Sequence, residues 1–352
     1  MLDSLLPSAL TRRLAVAALW TAALVVSASV AAAADSQSLP ACPTSKAAAK
    51  EKAGAKRRLV IGTGNTGGVF FPYGGGLARV ISAKVPNTTM TAEVTGGSVD
   101  NLKLLARHEA DLALTTVDSA WEAALGAGVY ADVGKVPACA VALLYQSFVH
   151  IVASGDGKVT KIADLKGRRV SLGSPGSSTE VLAIRVLEAA GLDAKKDVSP
   201  QYLSVSEAAG ALRDGKLDAF FWIGGLPTAA VQDLVSSPGP KPRFLDGGAL
   251  VDALRKKHGP IYDPMTLPKA VYGLEADVAG IGVGNLLVAH ADAPEALVAD
   301  LLGAVFANLD EVHKIHPEAR ALTLEGAASG GSLPYHPAAL AFFKTKGVGK
   351  KQ

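Results

Sequence analysis

The chain has 352 residues, 49% of them hydrophobic, with two cysteines and a formal net charge of +3. That length exceeds one comfortable hydrophobic core, so two packed lobes are expected. Residues 1–34 carry +1 and residues 35–58 carry +4, which leaves residues 59–352 at −2. The basic character therefore belongs to a tail, and a nucleic-acid-binding domain is not indicated.

The N-terminus reads as an export signal. Arg12 and Arg13 precede an apolar run at residues 14–30, and Ala31 to Ala34 offer an A-x-A cleavage site near Ala34. The run falls short of the roughly 20 apolar residues that span a bilayer. The mature protein is expected in the periplasm. Residues 35–58, rich in Ala, Lys, Ser and Pro, read as a flexible linker. Cys139 lies in an apolar run and reads as a buried core thiol; a disulfide to Cys42 is the other reading, which an oxidising compartment permits.

From Leu59 onward, apolar runs of strand length alternate with glycine turns and helical stretches, the pattern of a parallel or mixed α/β sheet. The first such unit is L-V-I-G-T-G-N-T-G-G-V-F-F-P-Y over residues 59–73. A glycine turn between strand and helix presents backbone N–H groups at a positive helix end, which suits an anion. Gly62 to Gly67 also satisfies G-x-G-x-x-G, with Glu93 ending the next strand-like run. A dinucleotide site needs its helix to begin inside the glycines, whereas Pro72 and the second glycine group delay the helix to Gly74 in this reading. No cofactor is expected.

A faint internal repeat places the lobes. Residues 59–67 align with 170–178, and residues 104–113 align with 211–220, so that Asp111 and Asp218 each open a strand. The expected layout is a first lobe at 59–150, a second at 151–245, and a return to the first over 246–352. In the second lobe Ser177-Ser178-Thr179-Glu180 reads as a capping box.

Candidate ligand-binding groups sit on loops after strands, where open α/β sheets bind ligands. In the first lobe they are Gly64, Asn65, Thr66, Gly67 and Tyr73, then Thr95, Gly97 and Ser98, then Thr116 and Asp118. In the second they are Ser174, Gly176, Ser177, Ser178 and Thr179, with Trp222 on a later strand. Each has a plainer use: Asn65 and the glycines in turns, and Ser98 and Asp118 as helix caps. His150, where the chain passes between lobes, is either a ligand contact or a satisfied core histidine. His313 and His316 have metal-pair spacing, but Pro317 makes an exposed helix end the better reading. No nucleophile, metal or paired-carboxylate motif is present, so an enzyme is not expected; an exported α/β enzyme using the glycine loop for a nucleotide is the alternative.

The order G-T-G-x-x-G-G-x-F-F-P-x-G-G-G, T-G-G-S-V-D-N-L-x-L-L, E-A-D-L-A, Y-x-x-x-V-H, D-L-K-G-R-R-V-S-L-G-x-P-G-S-S-T-E, D-A-F-F and a late H-P resembles the TAXI family of TRAP-transporter solute receptors across residues 58–347. The resemblance implies a two-lobed periplasmic-binding-protein fold, type II-like, with a hinge and a ligand cleft between the lobes. It also implies delivery of a small carboxylate or amino acid, such as glutamate or glutamine, to a TRAP membrane permease. Two positions depart from the family pattern: Ser147 stands where an acidic residue is common, and Tyr335-His336-Pro337-Ala338 lacks the usual Pro-Gly.

Overall fold

A computed structural model describes residues 39, 42, 56–330 and 333–348. The export signal, with its cleavage site, and most of the linker lie outside the described residues. The first half of the fold opens with β1 (Arg57–Gly62), α1 (Phe70–Lys84), β2 (Thr88–Glu93), α2 (Ser98–Ala106), β3 (Leu112–Thr116) and α3 (Val117–Leu125). A long strand, β4 (Ala138–Ala153), leads to β5 (Arg169–Ser171), α4 (Ser178–Ala189), β6 (Ser199–Gln201), α5 (Val205–Arg213), β7 (Ala219–Gly224) and α6 (Ala229–Ser236). Then come β8 (Arg243–Phe244), α7 (Val251–His258), β9 (Asp263–Leu267), α8 (Lys269–Tyr272), a second long strand β10 (Val278–His290) and α9 (Glu295–Ala307).

These strands form one sheet in the order β2-β1-β3-β10-β4-β7-β5-β6, with β8 on β4 and β9 on β10. Its two wings are parallel and share one topology: β1 lies between β2 and β3, and β5 between β6 and β7. Between them β4 and β10 pair antiparallel with each other, β10 joining the first wing at β3 and β4 joining the second at β7. Both long strands are almost continuously buried, which is why they read as unbroken apolar runs.

The repeat seen in sequence has a local physical basis. Asp111 donates its N–H to the Val60 carbonyl, and its carboxylate accepts the Val60 N–H at 2.7 Å. Asp218 does the same to Arg169, with the returning bond at 2.8 Å. In each wing one aspartate thus closes the pairing where the central strand meets its neighbour.

Several expectations change. Helix α1 begins at Phe70, not Gly74, and includes Pro72 and the second glycine group. Pro72 falls in the first turn, where N–H groups have no helical acceptor and a missing one costs little. Gly74 and Gly76 are needed for packing, since a β-carbon would collide with Thr63 or Ile315. Helix α3 begins at Val117 after Thr116, so Asp118 is not its cap. Glu93 ends β2 with its side chain exposed, and its backbone carbonyl accepts the Thr63 N–H. The stretch after residue 245 does not return to the first wing at once. Leu267 and Tyr272 pack with Phe220 and Val231 of the second wing, whereas Leu297, Leu301 and Val305 of α9 pack with Ile61 and Val141 of the first.

His150 is a core residue. It is fully buried, with Nδ1 3.1 Å from the Phe148 carbonyl and 3.3 Å from that of Trp222. Both are acceptors, so Nδ1 carries the hydrogen and Nε2 accepts from the Tyr272 hydroxyl at 3.1 Å. That hydroxyl in turn accepts the Thr228 N–H. Burial pushes the imidazole down to about 4, and it is neutral at ordinary pH. Cys139 is buried as expected but is not a free thiol: it is disulfide-bonded to Cys42, with the Cα atoms 5.8 Å apart.

Both groups bear on stability. The disulfide closes a loop of 97 residues, so reduction should lower unfolding stability by about 2–4 kcal/mol. Urea melts with and without reductant measure this, and coincident curves would refute it. The His150 pKa is lower folded than unfolded, so its contribution is present above about pH 6.5 and is lost as pH falls towards 4. A pKa that drops from 6.5 to about 4 on folding is worth roughly 3 kcal/mol. His258, also held down to about 4, adds to the loss. Urea unfolding at pH 8, 6 and 4 should show that decline, and His150→Gln should flatten it.

Candidate functional site

A cavity of about 40 Å³ lies between the wings, at the C-terminal ends of β1, β3, β5 and β7. The loop after β1 contributes Gly64, Asn65, Gly68, Val69 and Phe70, and the loop before α2 contributes Gly96, Gly97 and Ser98. Thr116 enters from β3. The second wing adds Ser177, Ser178 and Thr179 at the start of α4, and Trp222, Ile223 and Gly224 from β7. Tyr145 and Ser147 of β4 and Asn285 of β10 close the base.

Three helices, α1, α2 and α4, begin at this cavity. Their first-turn N–H groups have no helical acceptor and carry partial positive charge. Among the described residues, the lining holds no Arg, Lys, His, Asp, Glu or Cys. Tyr145 is its one titratable group, and burial keeps that hydroxyl well above its ordinary range and therefore neutral.

The hydroxyls form a directed relay. The Thr116 N–H donates to Ser98 Oγ at 3.1 Å, and Ser98 Oγ donates to Ser178 Oγ at 3.3 Å. The Ser178 hydrogen is then free to point at a ligand. Thr179 Oγ1 accepts the Ile223 N–H at 3.2 Å, which likewise leaves its hydrogen to donate. Thr116 Oγ1 and Asn285 Oδ1 are buried with no partner. Unpaired buried polar atoms are costly, and two of the five among the described residues line this one cavity, where a ligand can pair them.

The cleft is closed by contacts from wing to wing. The Asn65 amide meets Ser174 Oγ at 3.3 Å, and the Gly176 carbonyl accepts the N–H groups of both Val99 and Asp100. Arg185 of α4 is ion-paired with Asp118 and Glu122 of α3, while Tyr262 donates to Asp118 Oδ2 at 3.0 Å. The Glu318 carboxylate accepts the Leu226 N–H. The Trp222 ring lies over Gly68, where a β-carbon would come within 2.8 Å of it.

Of the residues singled out from sequence, the structure brings Gly64, Asn65, Gly97, Ser98, Thr116, Ser177, Ser178, Thr179 and Trp222 to this cavity. It places the others elsewhere. Thr66 is exposed, and Gly67 packs against Ser206. Tyr73 is buried in the first wing beside Tyr145, with ring centroids 5.8 Å apart. Thr95 donates to Asn101 and accepts from Gly97, so it shapes the loop. Ser174 and Gly176 join the wings rather than line the space. Asp118, expected to meet a ligand amine, is committed to Arg185 and Tyr262. His150 is taken up by Tyr272 and two carbonyls.

His313 and His316, the pair with helical spacing, each have a hydrogen-bond partner. His313 Nε2 meets the Leu322 carbonyl, and His316 caps the turn that follows by accepting the Glu318 N–H. Ser177 is the N-cap of α4, but its own N–H goes to the Ser174 carbonyl, so the capping box is only half formed. Sequence reasoning missed Asn285, Ser147 and Tyr145 as lining residues. A signal existed for Asn285: one amide inside the apolar run I-G-V-G-N-L-L-V must find partners when buried.

Among solved structures, the periplasmic binding protein BugD is similar over 83% of this chain and 94% of its own, with 15% identity and a TM-score of 0.52. A protein described as a periplasmic transporter is similar over 84% and 93%, with 16% identity and a TM-score of 0.49. The periplasmic aliphatic sulphonate binding protein SsuA from Escherichia coli is similar over 82% and 83%, at 20% identity and 0.45. The fold is that of the periplasmic binding proteins, mixed α/β as expected. Residues 61–347 match the NMT1-like family, and the chain belongs to that family.

Proposed function

We propose that the protein is an extracytoplasmic solute-binding receptor. It captures a small carboxylate or amino acid in the cleft and delivers it to a membrane permease. The observation that carries this reading is the cleft itself: three helix N-termini and several hydroxyl donors converge on a space whose lining holds no carboxylate, imidazole, thiol or cationic side chain to activate them. Such a site can hold an anion but has nothing with which to transform it. The motif order favours a TRAP permease of the TAXI type as partner, and a solute with the carbon skeleton of glutamate or glutamine, over the nucleotide-using enzyme. Export fits residues 1–34 and the disulfide, which persists in an oxidising compartment. Two lobes, hinged where β4 and β10 cross, would open to admit the solute and close through the contacts between wings.

Native mass spectrometry of protein purified without refolding tests the reading. A bound acid of low mass, released unchanged on denaturation, is expected. A nucleotide-sized adduct, or turnover of the bound molecule, would overturn it. Ligand should also reduce the radius of gyration in small-angle scattering.

Ser177 and Ser178 should separate under mutation. Ser178 lines the cavity and its hydroxyl hydrogen has no acceptor, so Ser178→Ala should weaken anion binding roughly tenfold to a hundredfold, with a stability cost of about 1 kcal/mol from the lost Ser98 hydrogen bond. Ser177 Oγ donates to the Ser174 carbonyl and accepts the Glu180 N–H, so both its roles are structural. Ser177→Ala should cost about 1 kcal/mol of stability and change affinity less. Calorimetric titration and urea unfolding of both variants would show whether the two effects divide in this way.

A further inference from the structure

We infer that the solute is a carboxylate bearing a neutral hydroxyl, bound in preference to the amino acid of the same skeleton. The inference rests on the receptor reading and narrows its ligand class. It comes from two orphaned atoms that face each other across the sheet. Thr116 on β3 and Asn285 on β10 are directly opposed in the antiparallel ladder, 2% and 1% exposed. Opposed side chains of this kind have β-carbons about 4.5–5.5 Å apart. Neither Thr116 Oγ1 nor Asn285 Oδ1 has a partner, and both residues line the cavity.

The chemistry each atom lacks is defined. Asn285 Nδ2 donates to Ser147 Oγ at 2.8 Å and lies 3.3 Å from the Tyr145 carbonyl and 3.4 Å from that of Val283. Two of these neighbours are carbonyls, so the amide orientation is settled and Oδ1 requires a donor. Thr116 Oγ1 has a hydrogen with no acceptor. A ligand hydroxyl placed between them donates to Asn285 and accepts from Thr116 with a single oxygen atom. A keto oxygen only accepts, and so leaves Asn285 orphaned. A carboxamide supplies both functions but carries a second N–H hydrogen for which this pair offers no acceptor.

An ammonium group fits poorly on two counts. It has no acceptor for the Thr116 hydrogen, and it brings a positive charge beside three helix N-termini. A buried cation needs a carboxylate, and the lining supplies none. The nearby acidic groups are committed elsewhere: Asp118 to Arg185 and Tyr262, Asp100 to the Gly96 N–H, and Glu318 to the Leu226 N–H. Glu180, in the first turn of α4, is outside the lining. The ligand carboxylate then belongs at Ser178 and Thr179, whose hydroxyl hydrogens are free.

Calorimetric titration of the full mature protein with two matched series tests the assignment: lactate, propionate and alanine, and 2-hydroxyglutarate, glutarate and glutamate. In whichever series binds, the hydroxy acid should be at least tenfold tighter than both companions. That factor is what one buried orphan costs when left unpaired. Thr116→Val should lower the hydroxy acid to the affinity of the unsubstituted acid and leave the latter nearly unchanged, while Thr116→Ser should keep the preference. Equal affinity for hydroxy and unsubstituted acids would mean that water bridges the pair, and would overturn the proposal, as would an amino acid that binds as tightly. Binding by none of the six also overturns it. A co-purified solute in the native mass spectrum then tells whether the receptor reading survives alone.

Discussion

The constraint that organises this molecule is the meeting of two helix N-termini across one narrow space. Helices α2 and α4 belong to different wings, yet Ser98 Oγ and Ser178 Oγ, at their first residues, are 3.3 Å apart. Each end carries roughly half a positive charge from its aligned peptide dipoles. Two such ends repel unless something negative lies between or beside them. The Gly176 carbonyl supplies part of that, since it accepts two N–H groups from the start of α2. The rest of the compensation is left to whatever occupies the cavity.

Everything else positions those two ends. Each wing is a strand, a glycine loop and a helix, with a second strand pinned by Asp111 or Asp218. Asn101 fixes α2 to the sheet by donating to the carbonyls of Thr63 and Leu114. The long strands β4 and β10 tie the wings together: β10 pairs with β3 of the first, β4 pairs with β7 of the second, and the two pair with each other. The Arg185 pairs with Asp118 and Glu122 add direction rather than much energy. A buried ion pair roughly balances its desolvation cost against its attraction, but it rejects any closure in which its partners miss. The pairing between the wings is therefore specific in geometry and modest in energy.

The same physics explains why some polar residues near strand ends are misread from sequence alone. Tyr73, Asp118 and His150 all read as candidate ligand contacts, Asp118 with a helix cap and His150 with a satisfied core histidine as the other reading. Tyr73 packs against Tyr145, Asp118 is held by Arg185 from a helix of the other wing, and His150 is matched by Tyr272. A polar side chain at a loop is free or committed according to partners that arrive from distant segments. Asn285 is the converse case: it sits within an apolar run, and only its opposition to Thr116 on the neighbouring strand gives it a role.

The sequence by itself determined what depends on neighbours along the chain. Strand length, glycine turns, the cap at Ser177 and the twofold repeat of wing topology all follow from local backbone preference and hydrophobic period. The loops at the C-terminal ends of strands were legible for that reason, and with them most of the cleft rim. Tertiary structure alone decided the pairing of Cys42 with Cys139, the attachment of residues 263–272 to the second wing, and which hydroxyls keep an unspent hydrogen. Those outcomes turn on distances between groups far apart in sequence. A hydrogen bond is made or lost within a few tenths of an ångström, a scale that composition and periodicity do not encode.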